Sequence, residues 1–278
     1  KALISTVLGK FTNKHVLFIS AAERESALFQ DLSYFSKEPP LSFPSWETLP
    51  GDEIPPNCDI IGKRLQILYH LTQSKHPQII LAPLQAALQK TCSPSTLKNM
   101  SSTWKKGLVF PFENVARFLT KLGYKKEAVV SDKGQFALRG GIVDLFPISS
   151  FDPYRVDFFG DEIDEIRTFD PISQKSTGKA EAFLITPADE MTLLKQEKNL
   201  STLFDFLGKN TLVIYEDLLA IEDRYVALKN LPGMRSSMVM NFETLQKEMR
   251  SFQKVYFSKN PIEALSESTT GEKMGRDF

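Results

Sequence analysis

Three side chains, Arg139, Arg155 and Phe159, have the types and spacing to form a contact patch for another molecule. Alternate residues of an extended chain share a face. Across Tyr154 to Phe159, the set Tyr154, Val156 and Phe158 suits a core, while Arg155, Asp157 and Phe159 face solvent. In the run before it, Phe136 and Leu138 face one way and Ala137 and Arg139 the other. Gly140-Gly141 then marks a bulge or a close backbone approach. If these strands pair in one sheet, Arg139, Arg155 and Phe159 form one patch. Guanidinium groups beside an aromatic ring are the composition of a protein-interface hot spot. The same residues also permit a purely structural reading, in which Arg139 and Arg155 pair with Asp144 or Asp157 and Phe159 covers a sheet edge.

Catalytic chemistry is not expected. Asp161-Glu162 follows Gly160 and reads as solvated turn chemistry rather than an acid pair. Asp144 and Asp157 alternate with apolar neighbours and read as strand-face residues. A phosphate-cradling loop needs G-x-x-x-x-G-K-[ST], which supplies backbone amides to phosphate and a hydroxyl to magnesium. Gly9-Lys10-Phe11-Thr12 only echoes it, at the end of a helical pattern rather than after a strand. Were Lys1 the lysine of such a loop, Ala2 would stand where Ser or Thr is required, so any site there is expected to be degenerate. Cys58 and Cys92 have no motif spacing and read as buried thiols, and His15, His70 and His76 cluster with no other ligand type. Neither a metal site nor a disulfide is expected.

Composition narrows the class further. The 278 residues carry 34 Lys plus Arg against 34 Asp plus Glu, which argues against a nucleic-acid binder held by bulk charge. No apolar run reaches the roughly 18 residues that span a bilayer, and no signal-peptide pattern opens the chain, so a cytoplasmic protein without membrane contact is expected. The first residue is Lys1 rather than Met, as expected of a fragment.

The elements that must position the patch come in two styles. Residues 1–111 alternate helix and buried strand: a helix at Leu3–Phe11, the apolar run Val16–Ile19, a helix over Ala21–Phe35, another over Ile60–Leu71, a strand at Gln78–Ala82, and a helix from Pro83 to Lys90. After a helix at Glu113–Leu122, stopped by Gly123, the period falls to two over Phe136–Phe146, Tyr154–Phe159 and Ile163–Phe169, with turn residues between. From about 191 the first style resumes, with helices at Leu200–Leu207, Leu218–Leu228 and Phe242–Phe252 and strands at Thr211–Tyr215 and Val255–Phe257. The expected fold is therefore α/β: a two-part scaffold, residues 1–111 and 191–278, into which a small α+β domain with an antiparallel sheet, residues 112–190, is inserted. Ser266–Phe278 is polar and reads as a linker. Trp46 and Trp104 read as packing residues, Lys105-Lys106 and Lys125-Lys126 as solvated faces, and Arg64 as a bridge from its helix to the inserted domain.

The stretch Phe136-Ala-Leu-Arg-Gly-Gly-Ile-Val-Asp-Leu-Phe-Pro147, then Tyr154-Arg-Val-Asp-Phe-Phe-Gly-Asp-Glu-Ile-Asp164, then Phe169-Asp-Pro171 and Ser173-Gln-Lys-Ser176, resembles the homology module shared by the excision subunit UvrB and the transcription-repair coupling factors (Mfd). Phe43-Pro-Ser-Trp-Glu-Thr-Leu-Pro50 and Asp59-Ile-Ile-Gly-Lys-Arg-Leu65 look like the coupling factors' first domain. UvrB-like proteins carry a tyrosine-rich segment at Trp46–Pro50 and a long DNA-clamping hairpin, for which the short path from Cys92 to Gly107 leaves little room. The resemblance implies a degenerate motor-like scaffold whose inserted domain binds UvrA through Arg139, Arg155 and Phe159. RNA-polymerase binding, DNA binding and an ATP- and magnesium-dependent translocase would belong to other parts of the full-length protein. In such proteins a C-terminal domain is thought to cover the UvrA-binding face. No cofactor is expected in this chain itself. Two other readings fit the residues: part of a UvrB-like ATP-dependent excision subunit, or a DNA-binding module using Lys105, Lys106, Lys125 and Lys126.

Overall fold

The computed structural model describes residues 13–21, 25–36, 38–49, 55–74 and 76–257. The helix expected at Leu3–Phe11, the Gly9–Thr12 echo and the polar Ser266–Phe278 lie outside them. The described chain runs β1 (His15–Ser20), α1 (Glu25–Phe35), β2 (Leu41–Ser42), α2 (Cys58–Gln73), β3 (Ile79–Pro83), α3 (Leu84–Leu88), α4 (Pro94–Asn99) and β4 (Ser102–Lys105). It continues with α5 (Val115–Lys121), β5 (Lys125–Lys126), β6 (Gln135–Arg139), β7 (Ile142–Leu145), β8 (Tyr154–Phe159), β9 (Glu162–Phe169), β10 (Ser176–Lys179) and β11 (Ala182–Ile185). The last part holds α6 (Glu190–Gln196), α7 (Leu203–Leu207), β12 (Thr211–Tyr215), α8 (Leu218–Lys229), α9 (Phe242–Glu248) and β13 (Gln253–Tyr256).

Two sheets carry the two styles seen in the sequence. The first is wholly parallel, in the order β13-β12-β1-β3-β2, so strands from both ends of the chain share it. Its continuous apolar runs follow from burial on both faces. Leu17, Ile19, Val213 and Tyr215 enter one core with α2, α3, α7 and α9, while Val16, Phe18, Leu212 and Ile214 meet Leu28 and Leu32 of α1 on the other side. Helix starts are set by side chains that accept otherwise unpaired amides. Asn57 accepts from Asp59 N, Ser93 from Thr96 N, Asp189 from Thr192 N, Asp217 from Ala220 N and Asn241 from Thr244 N.

The second sheet has six strands, ordered β10-β9-β8-β7-β6-β5, antiparallel except for the β5–β6 pair. Its inner face packs on α5 and on the two-stranded ribbon β4–β11. Trp104 of β4 is fully buried at the centre of this core, with the rings of Phe110, Phe118, Phe158 and Phe183 within 5.6–6.3 Å. This core draws on Trp104, Leu108 and Phe110, all before residue 112. The segment expected as one helix over Glu113–Leu122 begins as a 3-10 turn at Phe112–Asn114 and becomes α5 only at Val115. Gly123 ends it with φ +89°, a conformation glycine adopts without steric cost.

Candidate functional site

The strands carrying Arg139, Arg155 and Phe159 pair in one sheet, and the register puts all three on its outer face. Ala137 lies opposite Asp144 and Asp144 opposite Arg155; Arg139 lies opposite Ile142 and Ile142 opposite Asp157. Directly paired residues point to the same side. Phe159 is two residues beyond Asp157 and therefore on that side too. Its ring is 82% exposed, while its neighbour Phe158 turns inward onto Trp104 and Phe112.

A β-bulge makes this alternation possible. Asp157 pairs with Glu165 but Phe158 pairs with Ile163, so Asp164 is an extra residue on β9. Ile163 and Ile166, three apart, are thereby both buried in the core, and β8 keeps its strict in–out pattern up to Phe159. The hairpin then closes over Gly160-Asp161, with Gly160 at φ +63°. The neighbouring hairpin closes over Gly140-Gly141, with Gly140 at φ +60°. Two-residue loops with glycine first match the twist of the flanking strands. Gly141 also makes the close approach expected of it: Phe158 N donates to its carbonyl at 2.8 Å, and a Cβ there would lie 3.1 Å from the Phe158 carbonyl oxygen. The neighbouring Gly140-Gly141 turn thus carries no side chain that could shield Phe159.

The three residues are not equivalent. Arg139 is exposed and donates one bond, to the carbonyl of Ala128 at 2.9 Å. Arg155 is turned back onto the sheet. Its Nε and Nη2 donate to Asp144 at 2.7 and 2.9 Å, and its Nη1 donates to the carbonyl of Gln174 at 3.1 Å. The guanidinium also lies 4.8 Å from the centroid of Phe169. Gln174 holds that carbonyl in place from a left-handed backbone, φ +60°, with its amide donating to the carbonyls of Val130 and Pro171. The hydrogen bond from Arg155 to Asp144 raises the arginine's pKa. Arg155 is thus the residue for which the structural reading holds in detail: it pairs with Asp144. Arg167, opposite Arg155, pairs with Asp157 and Glu165, and Lys179 binds Glu165 at 2.8 Å.

A prediction separates Arg155 from the other two. Arg155→Ala leaves Asp144, 2% exposed, without its cation. The expected loss is about 2–3 kcal/mol of stability, below the cost of breaking a fully buried pair because Arg155 keeps 17% of its surface. Urea denaturation measures it; an unchanged midpoint would mean that the pair is replaced by solvent without cost.

The other marked residues resolve as follows. Asp161 is more than a solvated turn residue, because its carboxylate accepts from Phe112 N at 2.9 Å. Lys105, Lys106, Lys125 and Lys126 are exposed. Cys92 is buried, with its thiol pushed up to about 12 by burial, but Cys58 is exposed on the first turn of α2, correcting the expectation that both are buried. Arg64 does reach across the chain. It meets Glu190 at 3.4 Å with both side chains fully buried, and sequence reasoning had no local signal for that partner.

Among the described residues no group of three metal-binding side chains occurs, and no helix is long and apolar enough to cross a membrane. In parallel sheets of this class nucleotides sit beyond the carboxyl ends of the strands. Pro83 closes β3 without an amide to donate, and Glu216 and Asp217 follow β12 with like charge.

Comparison with known proteins finds relatives of this module. A family model for the UvrB interaction domain matches residues 103–191, beginning at the ribbon that carries Trp104. The chain is 36% identical over 180 residues to the transcription-repair-coupling factor of Haemophilus influenzae, covering 64% of this chain and 16% of that protein. It is 33% identical over 193 residues to the Escherichia coli protein of the same name, covering 68% and 17%. With the Myxococcus xanthus protein it shares 31% over 224 residues, covering 76% and 18%. The chain spans about one sixth of the length of these relatives. In the part it shares with them, the chain belongs to the transcription-repair-coupling factor family, and its antiparallel module is a UvrB interaction domain.

Proposed function

We propose that this chain is a recruitment module that docks UvrA on the outer face of its six-stranded sheet, through Phe159 and Arg139, with Arg155 shaping the face from its pair with Asp144. Within a longer protein this brings excision repair to RNA polymerase stalled on DNA. On this reading the chain performs no catalysis in the cytoplasm where it acts. ATP- and magnesium-driven movement on DNA, and the contacts with polymerase, belong to other parts of that protein.

The observation that carries the reading is Phe159, 82% exposed at the tip of a two-residue hairpin inside a UvrB interaction domain. A solvent-facing phenylalanine adds nothing to the core, and a benzyl group pre-set on a hairpin loses little entropy when a partner covers it. Titrating purified UvrA against the chain tests the reading. Phe159→Ala is expected to weaken binding by about 1–2 kcal/mol, five- to thirtyfold, with an unchanged melting temperature. Failure of the unaltered chain to bind UvrA, or an unchanged affinity for the variant, defeats it.

A further inference from the structure

We infer that Val109 is a second apolar contact of this docking face, received by the partner in a hollow separate from that for Phe159, with a hydrogen-bond donor or cation between the two facing Glu162. The inference rests on the UvrA-docking reading and specifies the surface that UvrA must offer.

The segment before the 3-10 turn extends the six-stranded sheet at the hairpin tip. Gly107 N donates to the carbonyl of Ile163 at 2.8 Å, Ile163 N to that of Leu108 at 2.9 Å, and Phe110 N to that of Asp161 at 2.7 Å. These bonds set Val109 directly opposite Glu162, which is itself directly opposite Phe159. Three side chains therefore stand in one row across three strands, on one face. Two strand spacings put Val109 and Phe159 roughly 10 Å apart.

Alternation explains why Val109 faces out. Leu108 and Phe110 pack on the core around Trp104, which leaves the valine between them 68% exposed. The Asp161 carboxylate, accepting from Phe112 N, moors the end of the segment to the same tip. Glu162 is exposed and, among the described residues, pairs with no cation, unlike Glu165 and Asp157 on the same face. A single exposed apolar side chain is ordinary. Two of them flanking an unpaired carboxylate, all fixed by backbone bonds and continuous with the face already assigned, form a surface pre-shaped for one partner.

UvrA binding is measured for the unaltered chain and for Phe159→Ala, Val109→Ala, Val109→Lys and Ile172→Ala, each with a thermal melt and a sedimentation profile. Ile172, 91% exposed in the loop between β9 and β10 and so at the other end of these strands, is the control. Val109→Ala is expected to weaken binding about fivefold and Val109→Lys at least about tenfold, with melting unchanged because Glu162 can pair with the new cation. Ile172→Ala is expected to bind as the unaltered chain does. If the unaltered chain binds and Phe159→Ala weakens it while both Val109 variants bind normally, the inference fails and the docking reading stands. If the unaltered chain does not bind UvrA, the docking reading fails and this one with it. A Val109 variant that changes only self-association assigns the row to a second copy of the chain and overturns the inference.

Discussion

Arg64→Ala is expected to lower the free energy of unfolding by about 3–5 kcal/mol, the cost of leaving a buried charge without its counter-ion. Arg64 and Glu190 lie 126 residues apart in sequence and are both fully buried. The guanidinium is packed between the rings of Phe43 and Trp46, 4.4 and 4.8 Å from their centroids. It donates to the carbonyl of Pro44 at 2.8 Å, and Trp46 Nε1 donates to Glu190 at 2.9 Å. Gln89 joins the cluster by accepting from Trp46 N at 2.8 Å, and Thr91 reaches the other Glu190 oxygen at 3.3 Å. The loop at residues 43–46, the end of α3 and the start of α6 therefore meet at one charge pair. The pair is not a net source of stability. Burial lowers the Arg64 pKa in spite of the carboxylate beside it, so desolvation outweighs attraction, and among the described residues Arg64 Nη2 has no hydrogen-bond partner. Its value is specificity: each charge makes every arrangement without the other costly. It follows that Glu190→Ala should cost about as much as Arg64→Ala, while Arg64→Met with Glu190→Leu together should cost less than either single alanine change. Guanidinium denaturation of the four proteins decides this. Losses that simply add in the double variant would show that the two charges do not depend on each other.

That pair also marks where the sequence stops being readable. Local pattern was enough for β1 and β12, whose unbroken apolar runs are those of strands buried on both faces, and for β8, whose alternation placed Phe158 inside and Phe159 outside. The patch residues could be found because facing depends on a period of two, a property of neighbours in sequence. The partner of Arg155 was open between Asp144 and Asp157, because cross-strand register depends on turns and bulges that one strand does not encode; the β7–β8 register, joined through the loop 146–153, sets Arg155 opposite Asp144. Short elements escaped for a different reason. Lys125-Lys126 forms β5, yet two lysines carry no strand preference and gain their pairing from β6. The β4–β11 ribbon joins residues 102–105 to 182–185, so the core around Trp104 begins before the change of pattern near Pro111. The helix expected over Phe242–Phe252 stops at Glu248 and passes into a 3-10 turn at Met249–Ser251, a boundary set by the packing of Met249 and Phe252. In each case the missing information is long-range contact, which overrides local propensity at element ends.

Gly62→Ala, by the usual helix scale, should stabilise α2 by about 1 kcal/mol, since alanine is the better helix former. The expected result is the opposite: a loss of about 3 kcal/mol or more. A Cβ at position 62 would lie 1.9 Å from the carbonyl oxygen of Ile148 and 2.9 Å from Ser149 N. Both are backbone atoms of the loop joining β7 to β8, so no rotamer change can relieve the overlap. Ile148 is buried in the core of the parallel-sheet scaffold although its loop belongs to the antiparallel sheet. The glycine is therefore a point of close approach between α2 and the antiparallel module, and Lys133 reaches Asp59 of α2 at 2.5 Å nearby. The substitution must push helix and loop apart, opening part of the first core. Its effect on partner binding should be small. Phe159 is at the far end of β8, five residues and roughly 17 Å from the strand end that follows this loop. Thermal melts with a parallel UvrA titration test both halves: a sharply lower melting temperature, with the affinity of the folded fraction retained. An alanine variant as stable as the unaltered chain would mean that helix and loop are not in this contact.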